Sequence, residues 1–225
     1  MSKTTTDEAS SSLESLFPND QVVVVQEPIV ADGLPYRAIK RAGDVVLSLS
    51  ALTILALPMI AIALIVRGTS EGPAIYQQTR VGKSGKEFRV YKFRSMYNDA
   101  EKNGAQWAEG DDPRVTPFGR IMRVTRLDET PQFFNVLKGE MSLVGPRPER
   151  PEFCEEFEEK IIGWNYRTRV KPGLTGLAQV NGGYELIPQE KIILDMDYLE
   201  HRSVALDAKI LLKTVKVVCT GQGAR

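Results

Sequence analysis

The sequence of 225 residues is long enough for one domain with an appended segment. Hydrophobic side chains make up 42% of it, which can support a packed core and argues against wholesale disorder. The 29 basic and 29 acidic side chains balance, and no recognised nucleic-acid-binding motif is present, so we expect no nucleic-acid partner. The widely spaced Cys154 and Cys219 form neither a disulfide framework nor a CxxC metal site.

Residues 1–35 are predicted to form a partly flexible N-terminal extension. Residues 1–20 are polar and rich in Ser and Thr, which is typical of a mobile tail. Residues 22–25 are all valine, and we interpret them as either a short strand or a segment that packs on the main body. The extension does not resemble a secretory signal, because the terminus lacks a basic segment and the apolar run of the chain comes too late.

Residues 36–67 are predicted to form a re-entrant membrane helix. Residues 45–66 carry no charge, and an apolar run of about 20 residues is typical of a membrane helix. Pro58 interrupts the backbone ladder midway, and cations flank both ends, which favours a helix–break–helix that enters and leaves by the cytoplasmic face. The alternative is a kinked single span. The residues assigned to this membrane anchor are Lys40, Arg41 and Pro58.

Residues 68–225 are predicted to form a cytosolic catalytic domain on the membrane surface. Residues 74–81 and 87–96 have the composition of two strands joined by a short turn, which predicts a small β-hairpin. Lys92 and Arg94 place two cations near the end of this hairpin.

Two adjacent carboxylates, Asp128 and Glu129, stand just before Pro131 and a segment predicted to be helical over residues 130–138. The free N–H groups and the positive dipole end of a helix keep a carboxylate ionised and attract phosphate. The pattern indicates an anionic nucleophile that works on a phosphate ester. The alternative is that both residues only cap the helix.

Cations and stiff loops flank these carboxylates in the sequence. Arg123 lies in a short basic amphipathic segment that can rest on a membrane surface. Arg147 lies in a loop stiffened by Gly145, Pro146 and a second proline, and stiffness lowers the entropy lost when a guanidinium binds phosphate. Residues 204–218 are also amphipathic, and they either pack on the core or lie on anionic lipid.

Several long motifs occur in one order over residues 37–220. They are Lys40-Arg41-x-x-Asp44, Gln78-x-Arg80-x-Gly82, Lys92-Phe93-Arg94-Ser95-Met96, Leu127-Asp128-Glu129-Thr130-Pro131-Gln132, Asn135-Val136-Leu137-Lys138-Gly139, Met141-Ser142-Leu143-Val144-Gly145-Pro146-Arg147-Pro148 and Lys171-Pro172-Gly173-Leu174-Thr175-Gly176. In these motifs the chain resembles the bacterial polyprenyl-phosphate phosphoglycosyl transferases of the monotopic class.

The resemblance implies transfer of a sugar 1-phosphate from a UDP-sugar to undecaprenyl phosphate, with release of UMP. It implies a Mg²⁺ cofactor, a covalent aspartyl-phosphosugar intermediate and a location at the cytoplasmic face of the bacterial plasma membrane. Asp128 falls at the family's nucleophile and Glu129 at its partner, and Asp128 is also the expected Mg²⁺ ligand. The expected substrate-binding residues are Arg123, Arg147, Lys92, Arg94, Gly145 and Pro146.

The expected fold is α+β and mainly helical, with a re-entrant membrane helix, amphipathic interfacial helices and the small hairpin. Leu57 stands where the family often has a serine before the proline, so Ser50 and Thr53 become candidates to satisfy the backbone carbonyls freed at Pro58. Two alternative functions are a direct transfer in a ternary complex and a non-catalytic membrane scaffold for polysaccharide assembly. The identity of the sugar and homo-oligomerisation are left open.

Overall fold

The computed structural model describes residue 17, residues 22–100, residue 102 and residues 112–220. The mobile tail predicted over residues 1–20 therefore lies outside the described residues except at position 17. The described helices are α1 (Leu34–Thr69), α2 (Pro117–Val124), α3 (Gln132–Lys138), α4 (Pro151–Lys160), α5 (Leu177–Asn181), α6 (Pro188–His201) and α7 (Val204–Thr220). The described strands are β1 (Val23–Val24), β2 (Ile75–Val81), β3 (Glu87–Phe93), β4 (Ser142–Val144), β5 (Ile161–Ile162) and β6 (Gly173–Thr175).

Helix α1 is the longest and most apolar element of the chain. Its length and composition are sufficient to cross a membrane, and only 11% of its most apolar window is buried within the protein. The helix continues through Pro58, so the two separate helices predicted on either side of a break are not present. Proline removes one N–H from the ladder, and a membrane helix can accommodate that loss without ending. A re-entrant path through one leaflet remains a prediction.

The hydroxyl groups near Pro58 do not take the role that the sequence suggests for them. Ser50 donates a hydrogen bond of 2.9 Å, and Thr53 one of 2.8 Å, each to the carbonyl four residues earlier. The carbonyl that Pro58 leaves without its helical donor is that of Ile54, which neither hydroxyl contacts. Bonds of this kind often bend a helix.

Two cations near the start of α1 bind the body of the protein, by which we mean residues 75–100 and 112–220. Lys40 Nζ donates to the carbonyl of Val144 at 3.0 Å and to the carboxylate of Asp207 at 2.8 Å. Arg41 donates to two carbonyls at the C-terminal end of α3, at 2.7 and 2.8 Å. Both residues were predicted as membrane anchors from their charge, and the structure gives them an intramolecular role at the junction.

Asp44 completes this junction from inside the protein. Its buried carboxylate accepts hydrogen bonds from the hydroxyl of Ser142 at 3.1 Å and from the N–H of Leu143 at 2.9 Å. The motif Lys40-Arg41-x-x-Asp44 therefore fixes α1 against α3, which follows Asp128, and β4, which precedes the Arg147 loop.

Strands β2 and β3 form an antiparallel hairpin in which Ile75 pairs with Phe93 and Val81 with Glu87. Strand β3 ends at Phe93, earlier than the predicted end at residue 96. The reason is a change of partner, because Met96 forms a bridge with Val115 on the segment before α2. The hairpin thus delivers Lys92 to the region between α2 and α3.

Two clusters of buried apolar side chains hold the described chain together. The larger one lies within the body and includes Phe157 and Trp164, whose ring centroids are 4.8 Å apart. The smaller one joins Ile62 and Val66 of α1 to Phe93 of β3 and Met122 of α2. The C-terminal half of α1 is therefore packed directly against the elements that precede Asp128.

The N-terminal extension packs on the body. Strand β1 pairs in parallel with β5, and the ring of Phe17 lies 5.9 Å from that of Phe157. The N–H of Ala31 donates to the carbonyl of Leu199 at 3.0 Å. The valine run is thus both a short strand and a packed segment, which covers the two interpretations made from the sequence.

Helix α7 combines the two roles that the sequence left open. Asp207 and Ile210 are buried against the body, whereas Leu212 and Val215 on the same helix are exposed. One face is packed, and a second apolar face is left on the surface.

Candidate active site

Asp128 and Glu129 lie side by side in a short 3₁₀ turn, Leu127–Glu129, just before α3. The sequence predicts a helix beginning at residue 130, and the structure starts it at Gln132 with Pro131 as its N-cap. Both carboxylates are buried, with exposed fractions of 7% for Asp128 and 9% for Glu129. Carboxylates are rarely buried unless they are paired or functional.

Glu129 is held by cations on both sides. Its carboxylate accepts from Lys92 Nζ at 2.8 Å and from both terminal nitrogens of Arg147, the Nη1 contact being 3.3 Å. Burial by itself would raise the pKa of Glu129, but Arg147 and Lys92 outweigh it and hold that pKa well below its usual range. Glu129 is therefore ionised and positions the two cations.

Asp128 has a different environment. Burial raises the pKa of its carboxyl to about 6, and the adjacent charge of Glu129 adds to the rise against three nearby cations. Within the described part of the chain no group donates a hydrogen bond to this carboxylate. It is therefore the member of the pair that remains available to a ligand. The opposing cations are Lys92, Arg123 and Arg147.

The loop that carries Arg147 is fastened to strand β6 by backbone hydrogen bonds. The N–H of Gly145 donates to Thr175 at 2.9 Å, and the N–H of Gly173 donates to Pro146 at 2.8 Å. A side chain at position 145 would come within 2.6 Å of the Lys171 carbonyl, so this close approach requires glycine. Gly145 and Pro146, both predicted to bind substrate, are thus placed where they position Arg147.

Arg94, also predicted to bind substrate, is buried and donates hydrogen bonds to the C-terminal end of helix α1. Its Nη2 donates to the carbonyl of Ser70 at 2.7 Å and to the Ser70 hydroxyl at 2.9 Å, and its Nη1 donates to the carbonyl of Glu71. Ser70 is the C-cap of α1, and Nη2 also donates to the carbonyl of Val66 in the last turn of the helix at 3.3 Å, so Arg94 caps the C-terminal end of α1. Arg123 is directed differently, because its Nε donates to the hydroxyl of Ser95 at 3.0 Å beside the Asp128 cavity.

A cavity of about 290 Å³ opens over Asp128 and Glu129. Ten of its lining residues are Arg or Lys and three are Asp or Glu, so the site suits an anionic ligand of the size of a nucleotide or sugar phosphate. The lining also includes Arg150, Arg167 and Lys191, which sequence reasoning missed. They carry no local motif and reach the cavity only through the packing of α4, the Trp164–Arg169 turn and α6.

Most of the chain matches one known protein family. Residues 35–221 match the family model described as bacterial sugar transferase. The chain belongs to the bacterial sugar transferase family. The match covers the membrane helix and the body, and it begins after most of the N-terminal extension.

Similar members of the bacterial sugar transferase family carry related names. An Aeromonas hydrophila UDP-N-acetylgalactosamine-undecaprenyl-phosphate N-acetylgalactosaminephosphotransferase is 44% identical over 84% of this chain and 46% of its own length. A putative undecaprenyl-phosphate N-acetylgalactosaminyl 1-phosphate transferase of Bacillus subtilis is 56% identical over 59% of this chain and 74% of its own length. The UDP-glucose:undecaprenyl-phosphate glucose-1-phosphate transferase of Escherichia coli is 44% identical over 80% of this chain and 40% of its own length. The chain thus spans less than half of two of these relatives.

The donor atoms in this bacterial sugar transferase site limit how a metal can be held. The described residues contain no group of three or more His, Cys, Asp or Glu side chains that could hold an ion. Mg²⁺ commonly binds through one or two carboxylates together with substrate phosphates, and the free carboxylate of Asp128 fits that arrangement. Glu129 is already engaged by Lys92 and Arg147.

Proposed function

We propose that this chain transfers a sugar 1-phosphate from a UDP-sugar to undecaprenyl phosphate and releases UMP. The observation that carries the proposal is Asp128, a buried carboxylate to which no described residue donates a hydrogen bond, in a cavity lined by ten cations. The names of the relatives supply the substrate classes. A cavity beside a long apolar helix suits a reaction between a cytosolic nucleotide and a lipid whose phosphate lies at the membrane surface.

In the first step, an oxygen of Asp128 attacks the phosphorus that bears the sugar. The new Asp128–phosphorus bond replaces the bond between that phosphorus and the oxygen of UMP, which leaves with its electron pair. Covalent catalysis of this kind divides one difficult transfer into two easier ones. Arg123 and Arg147 neutralise the phosphate oxygens, which would otherwise repel an anionic nucleophile.

In the second step, a phosphate oxygen of undecaprenyl phosphate attacks the same phosphorus. The bond to Asp128 breaks, the carboxylate is regenerated, and the lipid carries the sugar through a diphosphate. Glu129 keeps Lys92 and Arg147 in place throughout both steps. When bound at Asp128 with the donor's phosphates, Mg²⁺ would supply further neutralisation of phosphoryl charge.

We further propose that the chain acts at the cytoplasmic face of the bacterial plasma membrane, with α1 re-entering by that face. Cations before and after the apolar run, such as Arg41 and Arg67, support this orientation under the positive-inside rule. The exposed apolar surfaces of α1 and α7 support contact with lipid.

The test is a UMP-release assay on the full chain in lipid nanodiscs with undecaprenyl phosphate, Mg²⁺ and a panel of UDP-sugars. The panel includes UDP-glucose and UDP-N-acetylgalactosamine, because both sugars occur in the names of relatives. We expect UMP release from at least one donor. If no UDP-sugar yields UMP, the chain is not this transferase and the scaffold alternative is favoured.

The covalent step is tested without acceptor, with a donor labelled in the sugar phosphate. We expect wild-type protein to retain label in stoichiometric amount after denaturation and gel filtration. Asp128→Asn should retain none and should not turn over, while it stays folded and membrane-bound. Full acceptor-dependent activity without any trapped label would favour direct transfer in a ternary complex.

A further inference from the structure

Arg126 has a backbone conformation that arginine rarely adopts. Its φ of 57° and ψ of 18° lie in the left-handed region. The residue follows Thr125, the C-cap of α2, so it occupies the position just past a helix end, where a left-handed residue is usually Gly or Asn. The other described non-glycine residue with positive φ is Ser84, which lies in the tight turn of the β2–β3 hairpin.

The position of Arg126 relates it to both the cavity and the apolar helix. It lines the cavity over Asp128, two residues ahead in the chain. The next residue, Leu127, packs on the cluster that contains Ile62 and Val66 of α1. Arg126 therefore lies where the cavity meets the side of the protein that carries the membrane helix.

The helix that leads to Arg126 exposes apolar side chains. Ile121 and Val124 of α2 have exposed fractions of 59% and 47%, although the opposite face of the helix buries Met122. Exposed apolar side chains beside a long apolar helix are typical of a surface in contact with lipid. A lipid-linked phosphate that approaches Asp128 from this surface meets Arg126 at the border.

We propose that Arg126 binds the phosphate of the polyprenyl acceptor as that phosphate enters the cavity from the apolar side. This inference rests on the proposed function. Lys92 and Arg147 are engaged by Glu129, and Arg123 contacts Ser95, so these cations are directed to the inner part of the site. A guanidinium suits bidentate binding of phosphate, which an asparagine or glycine at this position would not offer.

The unfavourable backbone conformation is what makes the assignment testable. Strained residues persist mainly where function retains them, so relief of the strain and loss of the function should occur together. If Arg126 were retained only for folding, its replacement would lower the thermal stability and leave the binding of the acceptor unchanged.

The experiment compares Arg126→Asn, Arg126→Lys and Arg120→Asn in the full chain in nanodiscs. Asparagine tolerates the left-handed conformation but removes the charge, whereas lysine keeps the charge and the strain. Arg120 is an exposed cation on α2, the helix that ends just before Arg126, and it does not line the cavity, so it controls for general attraction to the lipid surface. The measurements are Tm, kcat, and KM for undecaprenyl phosphate and for the UDP-sugar selected by the panel.

For Arg126→Asn we expect about a tenfold rise in KM for the acceptor, equivalent to about 1.4 kcal/mol. KM for the donor should stay within about twofold, and Tm should rise by about 2–4 °C as the strain is relieved. Arg126→Lys should retain most of the acceptor affinity and the wild-type Tm. Arg120→Asn should leave both KM values unchanged.

Three results would overturn the inference while leaving the proposed function intact. The first is an unchanged acceptor KM in Arg126→Asn. The second is a rise in the donor KM of Arg126→Asn in place of the acceptor KM, which would assign Arg126 to the donor diphosphate. The third is a rise in acceptor KM in Arg120→Asn as large as that in Arg126→Asn. Wild-type protein that releases no UMP from any donor would instead overturn the proposed function and this inference with it.

Discussion

At the scale of single residues, the buried Asp128 makes the site less stable than it would be with a neutral side chain. The pKa of Asp128 is raised from 3.8 to about 6, so the folded state holds a proton more tightly than the unfolded state. The tighter binding of this proton stabilises the folded state fully below about pH 4, and that stabilisation is lost as the pH rises through 6.

We therefore expect Asp128→Asn to be more stable than wild type at pH 7, by up to about 3 kcal/mol for a shift of this size. The difference should shrink as the pH falls from 6 to 4, where the wild-type carboxyl becomes neutral as well. Thermal unfolding of both proteins in the same detergent at pH 7 and pH 4.5 measures it. Equal stability at pH 7 would contradict the burial argument.

The same carboxyl predicts the pH dependence of the reaction. Only the ionised form of Asp128 is a nucleophile, so kcat/KM for the donor should fall on the acid side of about pH 6. Glu129→Gln removes a neighbouring negative charge that raises the pKa of Asp128, so its acid limb should move to lower pH while the overall rate falls. Initial rates of UMP release between pH 5 and pH 8 provide the test, and an acid limb that moves upward would contradict it.

Local motifs predicted some of these residues and not others. Asp128, Glu129 and Arg147 lie in contiguous motifs, so their chemistry could be inferred from the sequence. Their division of roles could not, because it depends on Lys92 reaching Glu129 from another element. The role of Arg167 likewise depends on tertiary packing, since its Nη2 donates to the carbonyl of Arg147 at 2.9 Å.

At the scale of elements, Arg94 is better explained as a cap of α1 than as a ligand of substrate. We expect Arg94→Met to lower the free energy of unfolding by about 2–4 kcal/mol, since it removes a buried guanidinium and its hydrogen bonds to the carbonyls of Val66 and Ser70. The folded fraction should retain the wild-type KM for the donor.

The matched control for this change is Arg89→Met on β3, the strand that ends just before Arg94. Arg89 is exposed, and its Nη1 contacts Gln77 at 3.4 Å, so its replacement should cost less than about 0.5 kcal/mol. Urea unfolding and donor kinetics on both variants separate the two roles. A stable Arg94→Met protein with a raised donor KM would restore the substrate-binding assignment.

Periodicity and turn residues predicted which elements exist more accurately than where they end. The apolar run indicated a membrane helix, but the helix continues through Pro58, because the loss of one N–H does not stop its neighbours from pairing. The hairpin lies where the strand pattern predicted it, but β3 stops early because residue 96 finds a partner before α2. Such long-range partners are invisible in a local pattern.

At the scale of the whole molecule, the orientation of α1 relative to the bilayer is open to a direct test. A re-entrant helix places both of its ends on the cytoplasmic side, whereas a single span separates them. We expect cysteines introduced as Ala38→Cys and Gly68→Cys, in a background with Cys154→Ala and Cys219→Ser, both to react with an impermeant maleimide from the cytoplasmic side.

Inverted membrane vesicles give access to that side of the membrane. Gly68 has open space around it, so a side chain there should not disturb the fold. The comparison variant is Leu57→Cys, next to Pro58, which should be protected by lipid. Labelling of only one helix end from the cytoplasmic side would establish a single span.

The junction between α1 and the body has a practical consequence for preparing this protein. A water-soluble fragment that begins at the hairpin would lack Lys40 and Arg41. Asp207 and the last carbonyls of α3 would then lose these hydrogen-bond donors. It would also uncover the apolar side chains of Phe93 and Met122. Such a truncation is expected to aggregate, so inhibitor screening and crystallisation should retain the anchor and use amphipols or lipid discs.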